Sequence, residues 1–157
     1  RKETEAELAR LAERAELAQQ AARSSLYEMD VATGRAQRDP YIAQLVGLAP
    51  GALADDHAAW EERIHPEDLA EFRNTVVQAL DRAERYAMEY RVVRTDGSTL
   101  WIADAGRVLR GADGTAVRVV GMATDITERK EAEESLRLRT AELESLLLSA
   151  PIGFAFF

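Results

Sequence analysis

The sequence predicts an α+β fold: a five-stranded antiparallel sheet with helices on one face, flanked by a helix at each end. The first observation is a run of three strand-like segments joined by two Asp-Gly dipeptides, which favour tight turns because both residues tolerate a positive φ. The second is a long segment without Gly or Pro at each end of the chain. The strand-like segments are Tyr86–Arg94, Thr99–Leu109 and Ala116–Thr124, joined at Asp96-Gly97 and Asp113-Gly114.

The first segment, Arg1–Ala22, predicts an amphipathic helix because it is rich in Ala, Glu, Leu, Arg and Gln, which are strong helix formers. Its apolar residues occupy the a and d positions of a heptad and form a narrow seam. The helix therefore either packs on its own domain or belongs to a parallel coiled coil that arrives from an upstream module. The seam residues are Leu8, Leu11, Ala15, Ala18 and Ala22.

Two strands and two short helical segments are predicted next. Aromatic and β-branched residues favour the first strand, and a Thr-Gly turn leads into the second. Asp39-Pro40 is typical of a helix start, because proline fits the first helical position. The strands are Ser24–Val31 and the stretch near Arg35–Arg38, and the helical segments are Tyr41–Val46 and Ala58–Ile64.

A longer helix is predicted over Glu67–Arg85. His65 lies at the N-cap position and Pro66 opens the helix. Glu67 and Asp68 lie in the first turn, where the helix dipole favours negative charge. The last strand then runs without a Gly or Pro into a C-terminal helix, Glu128–Leu148, whose a and d positions hold Ala132, Leu136, Arg139, Leu143 and Leu146.

Composition excludes several classes of function. The net charge is −8, which disfavours nucleic acid and anionic membranes as partners. There is no cysteine, so a disulfide framework, a thiolate zinc site and a cysteine photo-adduct are excluded. No nucleotide-binding or hydrolase motif is present, and His57 and His65 match no standard metal spacing. We predict a non-catalytic segment with no metal and no expected cofactor.

Several motifs agree in order with one known family. These motifs are His65-Pro66-Glu67-Asp68, Glu89-Tyr90-Arg91, Asp96-Gly97, Trp101, Gly121, Asp125-Ile126-Thr127 and Arg129-Lys130. In these residues the chain resembles a PAS domain of the HPED-containing subtype, followed by a PAC motif, over about Ser24–Lys130.

The resemblance implies a domain organisation. We expect an N-terminal amphipathic signalling helix over 1–22, a PAS domain over 23–127, a linker helix over 128–149 and the start of a truncated second PAS domain over 150–157. It also implies a homodimer formed through the flanking helices, with a downstream PAS and output domain in the same chain and a cytoplasmic location.

The implied function is a sensory or relay module of a multi-PAS bacterial signalling protein, most often a histidine kinase of a two-component system. The signal would pass through a dimeric coiled-coil linker. One alternative is a receptor that binds haem, flavin or a small metabolite. The parent could equally be a diguanylate cyclase, and a third interpretation is a structural spacer without a pocket.

Two groups of residues are the candidate sites. Asp125, Ile126, Thr127 and Arg129 lie at the junction of the last strand and the outgoing helix. Thr127 is typical of a helix cap, and the resemblance adds a role in signal transmission. Candidate partners of Asp125 are Arg91, Arg94 and Arg129.

The second group is a candidate pocket for an unknown small ligand: Trp60, Tyr90, Gly121 and Ala123. The aromatic residues either stack on a planar ligand or pack in the core. Alternation along the last strand places Gly121 and Ala123 on one face, where the missing side chain of the glycine and the small one of the alanine leave space.

Overall fold

The computed structural model describes residues 2–150 as a sheet with helices on one face and a helix at each end. The second PAS domain expected over 150–157 lies outside the described residues except for Ala150. The strands are β1 Ser24–Asp30, β2 Ala36–Arg38, β3 Arg85–Val93, β4 Thr99–Arg110 and β5 Ala116–Asp125; the helices are α1 Lys2–Ala22, α2 Tyr41–Leu45, α3 His57–Glu61, α4 Pro66–Asp81 and α5 Thr127–Ser149.

The five strands form one sheet in the order β2-β1-β5-β4-β3, and all neighbours are antiparallel. This arrangement confirms the predicted fold class and the three-strand meander β3-β4-β5. Because β1 pairs with β5, the last strand lies at the centre of the sheet. The beginning and the end of the domain therefore meet there.

The core lies between one face of the sheet and the short helices. Trp60 of α3 and Phe72 of α4 contact Tyr90 edge-on, with ring centroids 6.5 and 4.9 Å apart. The opposite face of the sheet is more open, and Leu26 and Met122 lie half exposed on it. The most completely buried side chains of the described residues are Tyr90, Leu100, Ile102, Val46, Val92 and Ser25.

Helix α4 begins as predicted, because His65 Nδ1 accepts a hydrogen bond from the Glu67 N–H at 3.2 Å. The predicted end at Arg85 is wrong, since α4 ends at Asp81 and Arg85 already belongs to β3. The cause lies in β4: the Arg110 guanidinium donates to the carbonyls of Ala79, Leu80 and Ala83 at 2.8 to 3.0 Å. These contacts satisfy terminal carbonyls and stop the helix.

The chain divides into two compact units, one that ends at Ile126 and one that begins at Thr127. In the first unit, the α1 seam residues Leu8 and Leu11 are 60% and 54% exposed. The second unit is α5, whose predicted seam residues are also largely exposed. Within the described residues, no helix combines the length and the apolar character needed to cross a bilayer.

Candidate functional site

A cavity of about 50 Å³ lies between the inner face of the sheet and helices α2 to α4. Its wall is mainly apolar, with contributions from Met29, Ile42, Val76 and Val119. The polar side chains in the wall are few and come from different elements: Ser25, Tyr27, Arg38, His57, Trp60, Tyr86 and Asp104. An apolar cavity with a few convergent polar groups is the usual form of a small-molecule site.

Asp104 of β4 is the centre of these polar groups and is only 5% exposed. Its Oδ1 accepts a hydrogen bond from the Tyr27 hydroxyl at 2.6 Å. Its Oδ2 accepts one from the Tyr90 hydroxyl at 2.7 Å, and Tyr90 accepts one from Trp60 Nε1 at 2.8 Å. One carboxylate thus joins strands β1, β3 and β4 to helix α3.

Two tyrosines cross the sheet over two glycines. The register places Tyr27, Gly121, Gly106 and Tyr86 in one row across β1, β5, β4 and β3. A Cβ atom on Gly106 would overlap the Tyr86 ring, and one on Gly121 would overlap the Tyr27 ring. The tyrosine hydroxyls meet above the glycines and form a hydrogen bond. The glycines therefore make room for the Tyr27–Asp104 contact.

Burial raises the pKa of the acidic groups around the cavity. It raises the pKa of Asp104 to about 6, against the lowering effect of the hydrogen bonds from Tyr27 and Tyr90. Burial, with the nearby Asp104 charge, raises the pKa of Tyr90 and Tyr27 well above their usual range. The tyrosines therefore stay protonated donors, and Asp104 titrates near neutral pH.

This pKa predicts a pH-dependent stability. A carboxyl whose pKa is higher in the folded state than in the unfolded one stabilises the fold at low pH, and this contribution is lost as the pH rises from about 4 through about 6. We expect the free energy of unfolding of Asp104→Asn, relative to the wild type, to rise by about 1 kcal/mol between pH 5 and pH 7.5. Urea titrations at both pH values measure it.

A second aspartate provides the control for this prediction. Asp113 lies in an exposed turn, where hydrogen bonds from Thr115 lower the pKa of its carboxyl. Its contribution to stability is lost only as the pH falls through and below the usual carboxyl range, so Asp113→Asn should show no rise relative to the wild type between pH 5 and pH 7.5. A rise of similar size in both variants would contradict the assignment for Asp104.

The two basic side chains of the cavity wall have partners other than Asp104. The Arg38 guanidinium lies 5.9 Å from the Trp60 ring centroid and donates to the carbonyls of Ala54 and Asp56 at 2.9 and 2.8 Å. His57 stacks on Phe72, and its Nε2 lies 3.3 Å from a Glu61 carboxylate oxygen. Burial lowers the pKa of His57, which favours the neutral ring.

Ser25 of β1 adds an unsatisfied group. Its side chain is 1% exposed, and within residues 2–150 its Oγ has no hydrogen-bond partner. Ser25 and Asp104 both pair with Ala123 of β5, so the three side chains share one face. Buried hydroxyls nearly always have a partner, which makes this one a candidate ligand contact.

The four predicted pocket residues have different positions. Trp60 and Ala123 line the cavity. Tyr90 is not part of the wall, but its hydroxyl forms hydrogen bonds with Asp104 and Trp60, which are. The space predicted above Gly121 is filled by the Tyr27 ring.

The predicted transmission residues lie at the end of β5. Asp125 is its last residue, and its carboxylate pairs with Arg23 at 2.8 Å. The Asp125 N–H donates to the Arg23 carbonyl at 2.9 Å, and the Ile126 N–H donates to the Trp101 carbonyl at 2.9 Å. Thr127 is buried and is the first residue of α5, in which Arg129 pairs with Glu133 at 3.1 Å.

Two of the predicted partners of Asp125 are wrong. Arg91 pairs with Asp68 and Glu67, which links β3 to the start of α4. Arg94 donates to the Leu45 carbonyl. Arg23 was missed because it follows the first helix by one residue, and only the pairing of β1 with β5 brings it to Asp125.

The comparisons with known proteins agree with this architecture. Residues 36–123 match the family model described as PAS fold. Among curated relatives, an uncharacterized protein, y4lL, of Sinorhizobium fredii is 34% identical over 73% of this chain and 14% of its own length. Sensor protein FixL of Bradyrhizobium diazoefficiens is 29% identical over 80% of this chain and 25% of its own length. The chain thus spans a quarter or less of these two relatives.

Two solved structures are similar as well. A sensory box histidine kinase/response regulator from Burkholderia thailandensis superimposes with a TM-score of 0.72 and 32% identity, over 85% of this chain and 99% of that one. The N-terminal domain of a diguanylate cyclase with PAS/PAC sensor from Marinobacter aquaeolei superimposes with a TM-score of 0.62 and 26% identity, over 68% of this chain and 98% of that one. The chain belongs to the PAS family and is a PAS sensor domain related to the sensor modules of histidine kinases.

Proposed function

We propose that this PAS domain is the sensory and relay module of a cytoplasmic signalling protein of the histidine kinase class. The observation that carries the proposal is the Arg23–Asp125 contact, which has a side-chain ion pair of 2.8 Å and a backbone hydrogen bond of 2.9 Å. Arg23 follows α1 and Asp125 ends β5, so the entry and exit of the sheet are tied together. A change in the position of β1 or β5 would therefore affect both the link to α1 and the link to α5.

The route out of the domain is short. Only Ile126 separates the last residue of β5 from the first residue of α5. The predicted seam of α5 is exposed, with Leu136 at 66%, Leu143 at 62% and Leu146 at 60%. An exposed apolar seam with heptad spacing favours a dimeric coiled coil, in which small changes of register would alter the output.

A second candidate function is a ligand receptor, and the cavity at Asp104 favours it. The two functions are compatible, since a ligand in the cavity would act on the sheet that leads to α5. Small-molecule pockets of about 300 to 1,000 Å³ hold drug-sized ligands. At about 50 Å³ the cavity does not fit haem or flavin. The ligand of such a receptor would therefore be a small molecule.

The relay proposal predicts that Asp125→Asn and Thr127→Ala uncouple the output of the full-length parent protein while the domain stays folded. Asparagine keeps the shape of Asp125 but removes the charge that binds Arg23. We expect the autophosphorylation rate of both variants to become constant under conditions that change the wild-type rate. Asp113→Asn, in an exposed turn, is the control and should respond as the wild type does.

Normal regulation in both junction variants would count against the relay through Asp125. Native mass spectrometry of the chain tests the dimer separately. A chain that stays monomeric at micromolar concentration would contradict the dimeric coiled coil.

A further inference from the structure

We propose that the Asp104 cavity is a binding site for a small primary ammonium ion with a short aliphatic tail. The inference rests on the proposed sensory function and names the chemistry of its input. The domain contains a buried negative charge that lacks a positively charged partner among the described residues. Asp104 is a buried carboxylate, and no cationic side chain of residues 2–150 forms an ion pair with it.

Buried carboxylates in proteins are normally paired with a cation or hold a metal, because an unpaired charge in a medium of low polarity is costly. Two neutral tyrosine hydroxyls are the hydrogen-bond donors to Asp104. Arg38 lines the same cavity, but its guanidinium points at two backbone carbonyls. A cation that enters the cavity would supply the missing partner.

The number of free acceptors matches an ammonium group. Each oxygen of Asp104 accepts one hydrogen bond from a tyrosine and keeps one lone pair. Ser25 Oγ is a third acceptor without a partner among the described residues. An ammonium has three N–H donors and no acceptor. It can therefore satisfy both oxygens of Asp104 and the serine hydroxyl together.

The register places these acceptors on two sides of one space. Ser25 and Asp104 flank Ala123 across β1, β5 and β4, so their Cα atoms are about 10 Å apart at the usual strand spacing. The methyl group of Ala123 lies between them and leaves the space open. A nitrogen atom above Ala123 would lie between the two side chains.

The size and wall of the cavity limit the rest of the ligand. A water molecule needs about 10 to 15 Å³ measured in this way, so a cavity of about 50 Å³ has room for three or four heavy atoms. Most of the wall is apolar, as Ile42, Val76, Val108 and Val119 show. A tail of two or three methylene or methyl groups fits this space, and n-propylammonium is the probe of choice.

The charge state of the site makes binding pH-dependent. The titratable and charged groups that face the cavity are Tyr27 of β1, Arg38 of β2, Tyr86 of β3 and His57 of α3, and Tyr90 donates a hydrogen bond to Asp104. Burial raises the pKa of the tyrosines and lowers that of His57, so the tyrosines and His57 stay neutral near pH 7. The Arg38 guanidinium keeps its charge and donates to the carbonyls of Ala54 and Asp56. Asp104, with a pKa of about 6, is the group that gains its charge as the pH rises to neutrality.

The test is an NMR titration of the ¹⁵N-labelled chain with n-propylammonium chloride at constant ionic strength. We expect saturable shifts at cavity residues, with a dissociation constant in the range of about 0.1 to 10 mM for so small a ligand. 1-Propanol has the same size without the charge and should bind about tenfold more weakly or worse. Lowering the pH from 7.5 to 5 should weaken n-propylammonium binding by about tenfold, and this arm needs no substitution.

Matched variants locate the site. Asp104→Asn should lose at least about tenfold in affinity, and Ser25→Ala about threefold to tenfold. Asp113→Asn, outside the cavity, should bind as the wild type does. Equal binding of 1-propanol, unchanged affinity of Asp104→Asn, or no saturable shift up to about 50 mM would each overturn the proposal. Binding is measured without the output domain, so its failure leaves the relay through Asp125 to be judged by autophosphorylation.

Discussion

Gly121→Ala is expected to lower the free energy of unfolding by about 3 kcal/mol, at the upper end of the usual cost of overpacking. The new methyl group would overlap the Tyr27 ring and lie 2.9 Å from the Ala105 carbonyl oxygen. The ring cannot move aside without breaking its hydrogen bonds to Asp104 and Tyr86. Urea denaturation at pH 7 measures the loss.

Gly111→Ala is the matched control, because a Cβ there would come no closer than 3.2 Å to Asp113 Oδ1 and its φ is not positive. We expect it to cost less than about 1 kcal/mol. In a double-mutant cycle, Tyr27→Ala should relieve part of the Gly121→Ala penalty, so the double variant costs less than the sum. An additive cycle would contradict a direct collision between the two side chains.

Tyr90→Phe is expected to lower the free energy of unfolding by about 2 to 4 kcal/mol. The lost hydroxyl accepts from Trp60 Nε1 and donates to Asp104, and Tyr90 is 2% exposed. Its removal leaves a buried N–H without an acceptor and takes one donor from the carboxylate. Because the hydrogen bond from Tyr90 lowers the pKa of Asp104, this pKa should also rise above about 6.

Tyr41→Phe is the control for this prediction, since it makes the same chemical change at a side chain whose hydroxyl has no hydrogen bond within the described residues. It should change stability by less than about 0.5 kcal/mol. Chemical denaturation gives the stability of both variants, and the carboxyl ¹³C shift of Asp104 gives its pKa. An unchanged pKa in Tyr90→Phe would show that the network does not reach Asp104 as described.

The elements of this fold follow closely from local sequence signals. Asp96-Gly97 and Asp113-Gly114 fix the two hairpins of the meander because only a few residue types suit such turns. His65 caps α4 because its side chain accepts a hydrogen bond from the backbone N–H only two residues further along the chain. The end of α4 could not be predicted in this way, because Arg110, which stops it, lies 29 positions further along the chain than Asp81.

The centre of the cavity was missed although the sequence carries a signal for it. Leu100, Ile102, Asp104 and Val108 alternate on the inner face of β4, so Asp104 is a charged residue in an apolar series. That pattern predicts a buried carboxylate from the sequence alone. The hydrogen-bond partners of Asp104 could not be predicted in this way, since Tyr27 and Tyr90 reach it only through the strand order and register.

The row of two tyrosines over two glycines also limits how this domain can change by mutation. Any larger side chain at Gly106 or Gly121 collides with a ring, and loss of either ring leaves empty space over the glycines. A viable route from this arrangement to another therefore requires changes on two strands at once. Tyr27, Gly106, Gly121 and Tyr86 are far apart in the chain, but they are neighbours across the sheet and must change together.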